Sequence, residues 1–247
     1  MKDVVRTIII ILFFLSPSYC WAQGKVTRHA PTKEIVPKKK KNSTGKENGY
    51  DWVDLGLPSG LKWATCNLGA SSPSGYGSYY AWGEISPKSD YNTWSNCFDC
   101  RNEAGTNWGI YKIGGDTQIT PSSGHDAARM NWGGTWRMPT ATEFQELVDK
   151  CKWVWINKDG HNGYLVTGPN GMSIFLPAAG WKGGSGDIEI GKTGHYWSST
   201  LYQSLDRYKE YFGDSQGATV LGFGDRFSTT VDQSYRKSGK SIRPVMK

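Results

Sequence analysis

The strongest periodic pattern of apolar residues lies in the stretch GGTWRMPTATEFQELVDKC, residues 133–151. Four apolar positions recur there at helical spacing, namely Phe144, Leu147, Val148 and Cys151. Thr140 can act as the N-cap and Glu143 can complete a capping box, while Pro139 keeps the preceding chain extended. The pattern predicts one amphipathic helix of about ten residues.

Shorter runs of residues alternate between apolar and polar, which is typical of half-buried strands. YDWVDLGLPSGLKWATCNLGA predicts two strands joined at Pro58-Ser59-Gly60. After the helix, turn signals at Lys158-Asp159-Gly160 and Pro169-Asn170-Gly171 separate three strand-like runs, which predicts a β-meander. TVLGFGDRFSTTV and GKSIRPVMK predict two further strands. The sequence therefore predicts the α+β class, with short antiparallel strands, one well-defined helix and long ordered loops.

The first part of the chain has a different composition. Residues 1–22 have a charged start, a short apolar run and then small or polar residues, which predicts a signal peptide and an exported protein that is secreted or held at the outer cell surface. A retained anchor, a lipid-modified Cys20 and a periplasmic location are the alternatives. Residues 23–48 contain almost nothing apolar, so we expect a disordered basic tether, with the folded domain at 49–247.

Charge is distributed unevenly between these regions. Residues 23–48 carry eight basic and two acidic residues, whereas residues 49–247 carry 19 of each. A neutral domain argues against nucleic acid as a partner. The run Lys38, Lys39, Lys40 and Lys41 predicts weak contact with anionic polymers of the cell envelope, against the alternative of a solvated spacer.

Four cysteines remain after the expected cleavage, and an even number in an exported chain favours two disulfides with three pairings open. A bridge between Cys97 and Cys100 is sterically feasible, and that pairing leaves Cys66 with Cys151. A redox pair lacks a helical pattern after Cys97, and a zinc site lacks a second close pair of cysteines.

Six ordered blocks give the chain a family resemblance. They are VDLGLPSGLKWATCNLGA, YYAWGE, DAARMNWGGTWRMPTATEFQELVDKC, SIFLPAAG, YWSST and SIRPV. In this order they resemble the Fibrobacter succinogenes major paralogous domain, which occurs in exported proteins of Bacteroidetes and Fibrobacter. The likeness spans residues 50–245.

That family is distantly similar to the formylglycine-generating sulfatase-modifying proteins, whose fold is a decorated C-type lectin fold. The resemblance implies that the N-terminal and C-terminal strands lie side by side. It also argues against catalysis, because the formylglycine-generating reaction needs a late pair of cysteines and this chain has none after Cys151.

The sequence gives little support for other catalytic or metal-binding functions. The domain's histidines His125, His161 and His195 stand apart and form no metal or catalytic motif. We therefore expect no enzyme activity and no cofactor. The calcium-binding signature of C-type lectins does not occur, which leaves only a calcium site built from loop carbonyls with Asp206, Asp214 or Asp225.

Ligand binding by the C-terminal loops is then the leading expectation. In lectin-like folds the binding surface lies between the strand equivalent to YWSST and the last strand, here about 201–232. Aromatic and guanidinium groups in this region suit stacking on sugar rings or gripping a peptide, and they are Tyr202, Arg207, Tyr208, Tyr211, Phe212 and Arg226. The expected partner is a glycan or protein. The alternatives are a structural or assembly module of the cell envelope and a diversified surface receptor.

Overall fold

Short antiparallel strands and two helices make up the computed structural model, which describes residues 43–91, 118–183, 186–202 and 217–247. The strands are β1 Thr44–Glu47, β2 Tyr50–Asp54, β3 Lys62–Ala64, β4 Lys152–Lys158, β5 His161–Thr167, β6 Ser173–Pro177, β7 Trp181–Gly183, β8 Gly186–Ile188, β9 Thr193–Leu201, β10 Gly217–Gly224, β11 Thr230–Tyr235 and β12 Val245–Met246. The helices are α1 Ala127–Trp132 and α2 Ala141–Lys150. Neither of these two helices has the length and apolar composition needed to span a membrane.

The strands form four antiparallel sheets in the described residues. Their orders are β1-β2-β3-β12, β4-β5-β6, β7-β8 and β11-β10-β9. The meander after α2 is confirmed by the second of these sheets, and the adjacency of N-terminal and C-terminal strands is confirmed by the pairing of β12 with β3. TVLGFGDRFSTTV forms most of a hairpin of β10 and β11 where a single strand was expected.

The predicted start of the folded domain was wrong by a few residues. Residues 44–47, which were assigned to the disordered tether, form β1 and pair with β2. Asn48 and Gly49 connect these strands with φ values of 51° and 88°, and an Asn-Gly pair with positive φ favours a tight hairpin turn. The Trp52 ring lies against Gly45 across the hairpin, so an apolar contact holds a segment that composition alone assigned to solvent.

Helix α2 is confirmed over ten residues, with its capping box intact. Thr140 Oγ1 accepts the Glu143 N–H at 3.2 Å, and the Glu143 carboxylate accepts the Thr140 N–H at 2.8 Å. Arg137 donates to both carboxylate oxygens of Glu143, at 2.8 and 2.5 Å. Burial acts to raise the pKa of Glu143, but these hydrogen bonds outweigh it and hold the pKa below its usual value.

Aromatic side chains fill two adjoining parts of the core. Trp136 and Trp197 are fully buried in one part, while Trp153 and Trp155 are half-buried against the other. Trp136 and Trp197 thus lie within the core, and Trp153 and Trp155 lie at its margin. Several indole N–H groups donate to backbone carbonyls, for example Trp197 Nε1 to that of Tyr80 at 2.8 Å, whereas Trp63 Nε1 is buried without a partner among the described residues.

Arg243 is a cation in the core, with no solvent exposure. Its Nη1 donates to the carbonyls of Ala64 and Thr65 at 3.0 and 2.7 Å, and its Nη2 donates to the Phe175 carbonyl at 2.8 Å. Its Nε donates to Asn67 Oδ1 at 2.9 Å. The guanidinium therefore joins the end of β3 to β6 immediately before the chain enters β12.

Replacing Arg243 with lysine should destabilise the protein by about 3 kcal/mol or more. An ammonium keeps the charge but donates from a single point, so it leaves several of these buried oxygens without a partner. Chemical denaturation followed by tryptophan fluorescence measures the change in the free energy of unfolding. Arg226→Lys, at a side chain that is 90% exposed, is the matched control and should change little. Equal stability of the two variants would contradict this role for Arg243.

Candidate functional site

The hairpin of β10 and β11 exposes aromatic side chains. Phe227 and Tyr235 are 44% and 51% exposed, and they are the only exposed aromatic residues among those that the structure describes. Phe227 lies in the turn of the hairpin and Tyr235 at the end of β11. Strand β11 pairs with β10 in the sheet and forms its edge. Exposed aromatic groups beside a sheet edge are typical of a recognition surface.

Two glycines on one face of β10 shape the surface beside Phe227. A Cβ atom on Gly224 would lie only 2.4 Å from Phe227 Cε1, so the Phe227 ring occupies that position. A Cβ atom on Gly222 would lie at ordinary contact distances, 3.8 Å from His195 Nδ1 and 3.7 Å from Thr230 Oγ1. Gly222, His195, Thr230 and Phe227 therefore enclose a bare position on the sheet, and we call these four residues the glycine recess.

The strand register explains why these residues meet. Gly222 pairs with Thr230 on β11 and with His195 on β9, so the two side chains flank it on the same face. Gly224 lies two residues further along β10, about 7 Å away, which places Phe227 at the open end of the recess. Residues from three strands and one turn thus come together across separations of up to 35 positions in the chain.

His195 is half-buried, and its Nε2 atom is buried without a hydrogen-bond partner among the described residues. Burial, and to a smaller extent the positive charge of Lys240, together lower the pKa of His195 to about 3. The imidazole is therefore neutral at physiological pH. A neutral ring has one N–H donor and one acceptor nitrogen, and of the two nitrogens Nδ1 borders the bare position at Gly222.

Lys240 lies next to His195 and is 2% exposed. Its Nζ atom lies 5.0 Å from the ring centroid of Trp181 and 5.2 Å from that of Trp197. No carboxylate among the described residues forms an ion pair with it. Burial lowers the pKa of Lys240 to about 7, because the two indole faces compensate only part of the lost hydration.

The predicted ligand-binding residues do not form one surface in the described part of the chain. Tyr202 follows β9, is half-buried, and donates its N–H to the Gly217 carbonyl at 3.2 Å. Arg226 lies just beyond the other end of β10, exposed and 3.9 Å from Asp225. The strand between them is eight residues, or about 25 Å, long. Four further predicted residues lie outside the described residues, namely Arg207, Tyr208, Tyr211 and Phe212.

The cysteine prediction needs a correction. Cys66 and Cys151 are both free, so the expected bond between them is not formed. Cys66 contacts Thr65 Oγ1 at 3.6 Å beside Arg243, whereas Cys151 caps the end of α2 and packs in the core. Burial, with a smaller effect of the Glu146 charge, raises the pKa of the Cys151 thiol to about 11, so it stays protonated. Cys97 and Cys100 lie outside the described residues.

Several acidic and hydroxyl side chains have structural hydrogen-bond partners. Glu146 accepts the N–H and Oγ–H of Ser59 at 2.9 and 2.6 Å. Ser198 donates to the Thr219 carbonyl, and Thr200 Oγ1 accepts the Ala141 N–H. Across the described ranges, His, Cys, Asp and Glu do not gather in a group of three or more that would hold a metal ion. Of the calcium ligands considered, Asp225 lies in the hairpin turn, while Asp206 and Asp214 lie outside the described residues.

Comparison with protein-family models, with curated proteins and with solved structures gave no match in any of the three. The family resemblance therefore rests on the six sequence blocks alone and stays a prediction. The recess itself was missed by sequence reasoning. The GFG pattern of β10 places two glycines on one face of a strand, and this was the available signal.

Lys240 should make stability depend on pH above neutrality. Its pKa is about 7 in the folded protein and near 10.5 in the unfolded chain, so between these values the unfolded chain holds the proton that the folded protein has lost. Stability therefore rises with pH in this window, by about 2 kcal/mol from pH 7 to pH 9. The measurement is the difference in the free energy of unfolding between the wild type and Lys240→Met across that range. A difference that does not change with pH would show that Lys240 keeps an ordinary pKa.

Proposed function

We propose that this domain is a non-catalytic, exported ligand-binding module with a C-type-lectin-like fold, which recognises a glycan or protein at the cell surface. The observation that carries the proposal is the exposure of the Phe227 ring in the turn of the hairpin, while the other aromatic side chains of the described residues are buried or half-buried, apart from Tyr235 at the far end of β11. An exposed ring costs hydration free energy that binding recovers, since ring faces pack on sugars and on apolar peptide groups.

The position of the hairpin supports the same proposal. It belongs to the region between the YWSST strand and the last strand, where the sequence resemblance places ligand binding. Arg226, which precedes Phe227 in the chain, adds a guanidinium with five donors at 90% side-chain exposure. An aromatic face next to a flexible cation suits a polar ligand with a flat or ring-shaped group. The absence of late cysteines supports a non-catalytic role, as does the structural use of Glu146 and Ser198.

An assembly module of the cell envelope is the second candidate, and one observation favours it. Strand β11 forms the edge of its sheet and is largely exposed along its length. An extended segment of another protein can pair with such an edge through its backbone. In that case a strand of the partner would pair with β11, and the side chains of the turn would contribute little to the binding free energy. The two candidates therefore differ in their dependence on Arg226 and Phe227.

Replacing Arg226 and Phe227 together with alanine should lower ligand binding by about tenfold or more, because a stacked ring and a guanidinium each contribute about 1 kcal/mol. The measurement is binding of the full-length chain to glycan and protein arrays, followed by titration of each positive ligand. Met130→Ala is the matched control, since Met130 is an exposed apolar side chain on α1.

Unchanged binding by the double variant to a protein ligand would favour strand pairing at β11 over recognition by the turn. Loss of binding in Met130→Ala alone would place the ligand elsewhere on the domain. Arrays without any positive ligand would contradict the binding function itself.

A further inference from the structure

The sheet β4-β5-β6 is apolar on both of its faces. Its inner face packs against the core through half-buried aromatic side chains of β4 and β5, namely Trp153, Trp155 and Tyr164. Strand β4 has the sequence KWVWINK, so Val154 and Ile156 occupy positions on the outer face where an alternating strand would carry polar residues. Strands that are apolar on both faces are typical of a sheet that is covered on both sides.

The strand register brings three aliphatic side chains together on the outer face. Val154 pairs with Leu165, and Ile156 pairs with Gly163, which has no side chain. Val154 is 39% exposed, while Ile156 and Leu165 are half-buried. In the described part of the chain, none of the three packs against the clusters of buried apolar residues that form the core. We call Val154, Ile156 and Leu165 the outer patch.

Side-chain contacts show which residues share the outer face. Phe175 lies over Gly163, where an added Cβ atom would meet Phe175 Cζ at 2.8 Å, and the Lys158 Nζ atom lies 5.8 Å from the Phe175 ring centroid. The His161 and Tyr76 rings meet edge to face, with their centroids 4.8 Å apart. These contacts cover the outer face near the β4–β5 turn, and the outer patch lies further along the strands.

Two lysines flank the outer patch, one at each end of β4. Lys152 is exposed and Lys158 is half-buried, and alternation along the strand puts both side chains on the same face as Val154. Neither forms an ion pair with a carboxylate of the described residues. On this face the three strands carry no aspartate or glutamate, and Asp159 in the β4–β5 turn accepts a hydrogen bond from Ser74 at 3.1 Å. The charge that these strands place around the outer patch is therefore positive.

We propose that the outer face of the β4-β5-β6 sheet binds an amphipathic helix of a partner protein, whose apolar side covers the outer patch and whose acidic residues pair with Lys152 and Lys158. The two lysines are six positions apart on β4, which corresponds to about 20 Å. About four turns of an α-helix have this length, so acidic residues about 14 positions apart lie on one side of the helix and can meet both lysines. This surface shares no residue with the hairpin of β10 and β11, so the inference goes beyond the proposed ligand-binding function.

A helix fits this face better than a strand or a lipid surface does. An added strand would pair with the edge of β4 through its backbone groups and would leave the outer patch in water. An anionic membrane surface attracts clusters of several basic residues, whereas this face carries two lysines at opposite ends of one strand. Two positive charges on either side of a short apolar patch match a single helix with an acidic residue near each end.

The experiment is fluorescence anisotropy of three labelled synthetic peptides titrated with the full-length chain. The first peptide has leucines at helical spacing and two glutamates about 14 positions apart, the second has lysines in place of the glutamates, and the third is a scrambled form of the first. The first peptide should bind about tenfold more tightly than either of the others. The scrambled peptide has the same charge and no apolar side, so it measures nonspecific attraction by the Lys38 to Lys41 run.

Val154→Lys should weaken binding of the glutamate peptide by about tenfold, because it places a charge in the apolar contact. Ile190→Lys is the matched control, since Ile190 lies between β8 and β9 and is an apolar side chain of similar exposure, at 37%. Lys152→Glu together with Lys158→Glu should reverse the preference, so that the lysine peptide binds more tightly than the glutamate peptide. Lys152→Glu alone, at an exposed position, should produce part of this change, and thermal melting shows that each variant is folded.

Equal binding of the glutamate peptide and its scrambled form would overturn the inference, as would an unchanged peptide preference in the double lysine variant. Two other results would overturn it by assigning the face to a different occupant. Sedimentation with phosphatidylglycerol vesicles that Val154→Lys abolishes, without peptide binding, would indicate a membrane surface, and a dimer that Val154→Lys dissociates would indicate a second copy of the chain. The double replacement of Arg226 and Phe227 tests the ligand-binding function separately, so the two proposals can fail independently.

Discussion

The Arg243 guanidinium fixes the path of the closing segment, and much of the structure depends on it. It is buried without a carboxylate and donates instead to the carbonyls of Ala64, Thr65 and Phe175 and to Asn67 Oδ1. These oxygens belong to two different sheets and the segment after β3. Moving the last strand would break several charge-assisted hydrogen bonds in a place that water does not reach, so the strand register next to Arg243 is strongly determined.

The path of the closing segment also determines where Lys240 lies, three residues before Arg243. Because Ser241 pairs with Tyr196 and Lys240 pairs with Tyr80, the backbone of Lys240 lies beside β9 and the Tyr80 segment. Its side chain then meets Trp181 and Trp197. The Arg243 guanidinium makes four hydrogen bonds to oxygen atoms of the protein, whereas the Lys240 ammonium lies over two indole rings and makes none to the described residues. The same segment therefore holds two buried cations, of which Arg243 is held by hydrogen bonds and Lys240 by contacts with aromatic rings.

Local signals in the sequence were sufficient for α2, because its apolar period and the Thr140–Glu143 capping box lie within a dozen residues. The strand β1 was missed, since its charged residues resemble the preceding tether and only the Asn48–Gly49 turn marks it. Pairing Cys66 with Cys151 by elimination failed because spacing carries no information on three-dimensional distance. The glycine recess could not be predicted, because it depends on the register of three strands, and a shift of one residue would turn its side chains to the other face.

The two ends of strand β10 in the sheet β11-β10-β9 differ in how far the core covers them. This difference favours a binding site at the hairpin turn over one that extends along the whole 201–232 region. On the face that bears His195, Trp197 and Val220 are covered by the core, which leaves no room for a ligand at that end. Two residues further along, Gly222 and Gly224 replace bulky side chains, and the sheet extends beyond the core into the exposed turn. Tyr202 lies at the covered end of β10, and the proposed binding surface lies at the other end, around Phe227.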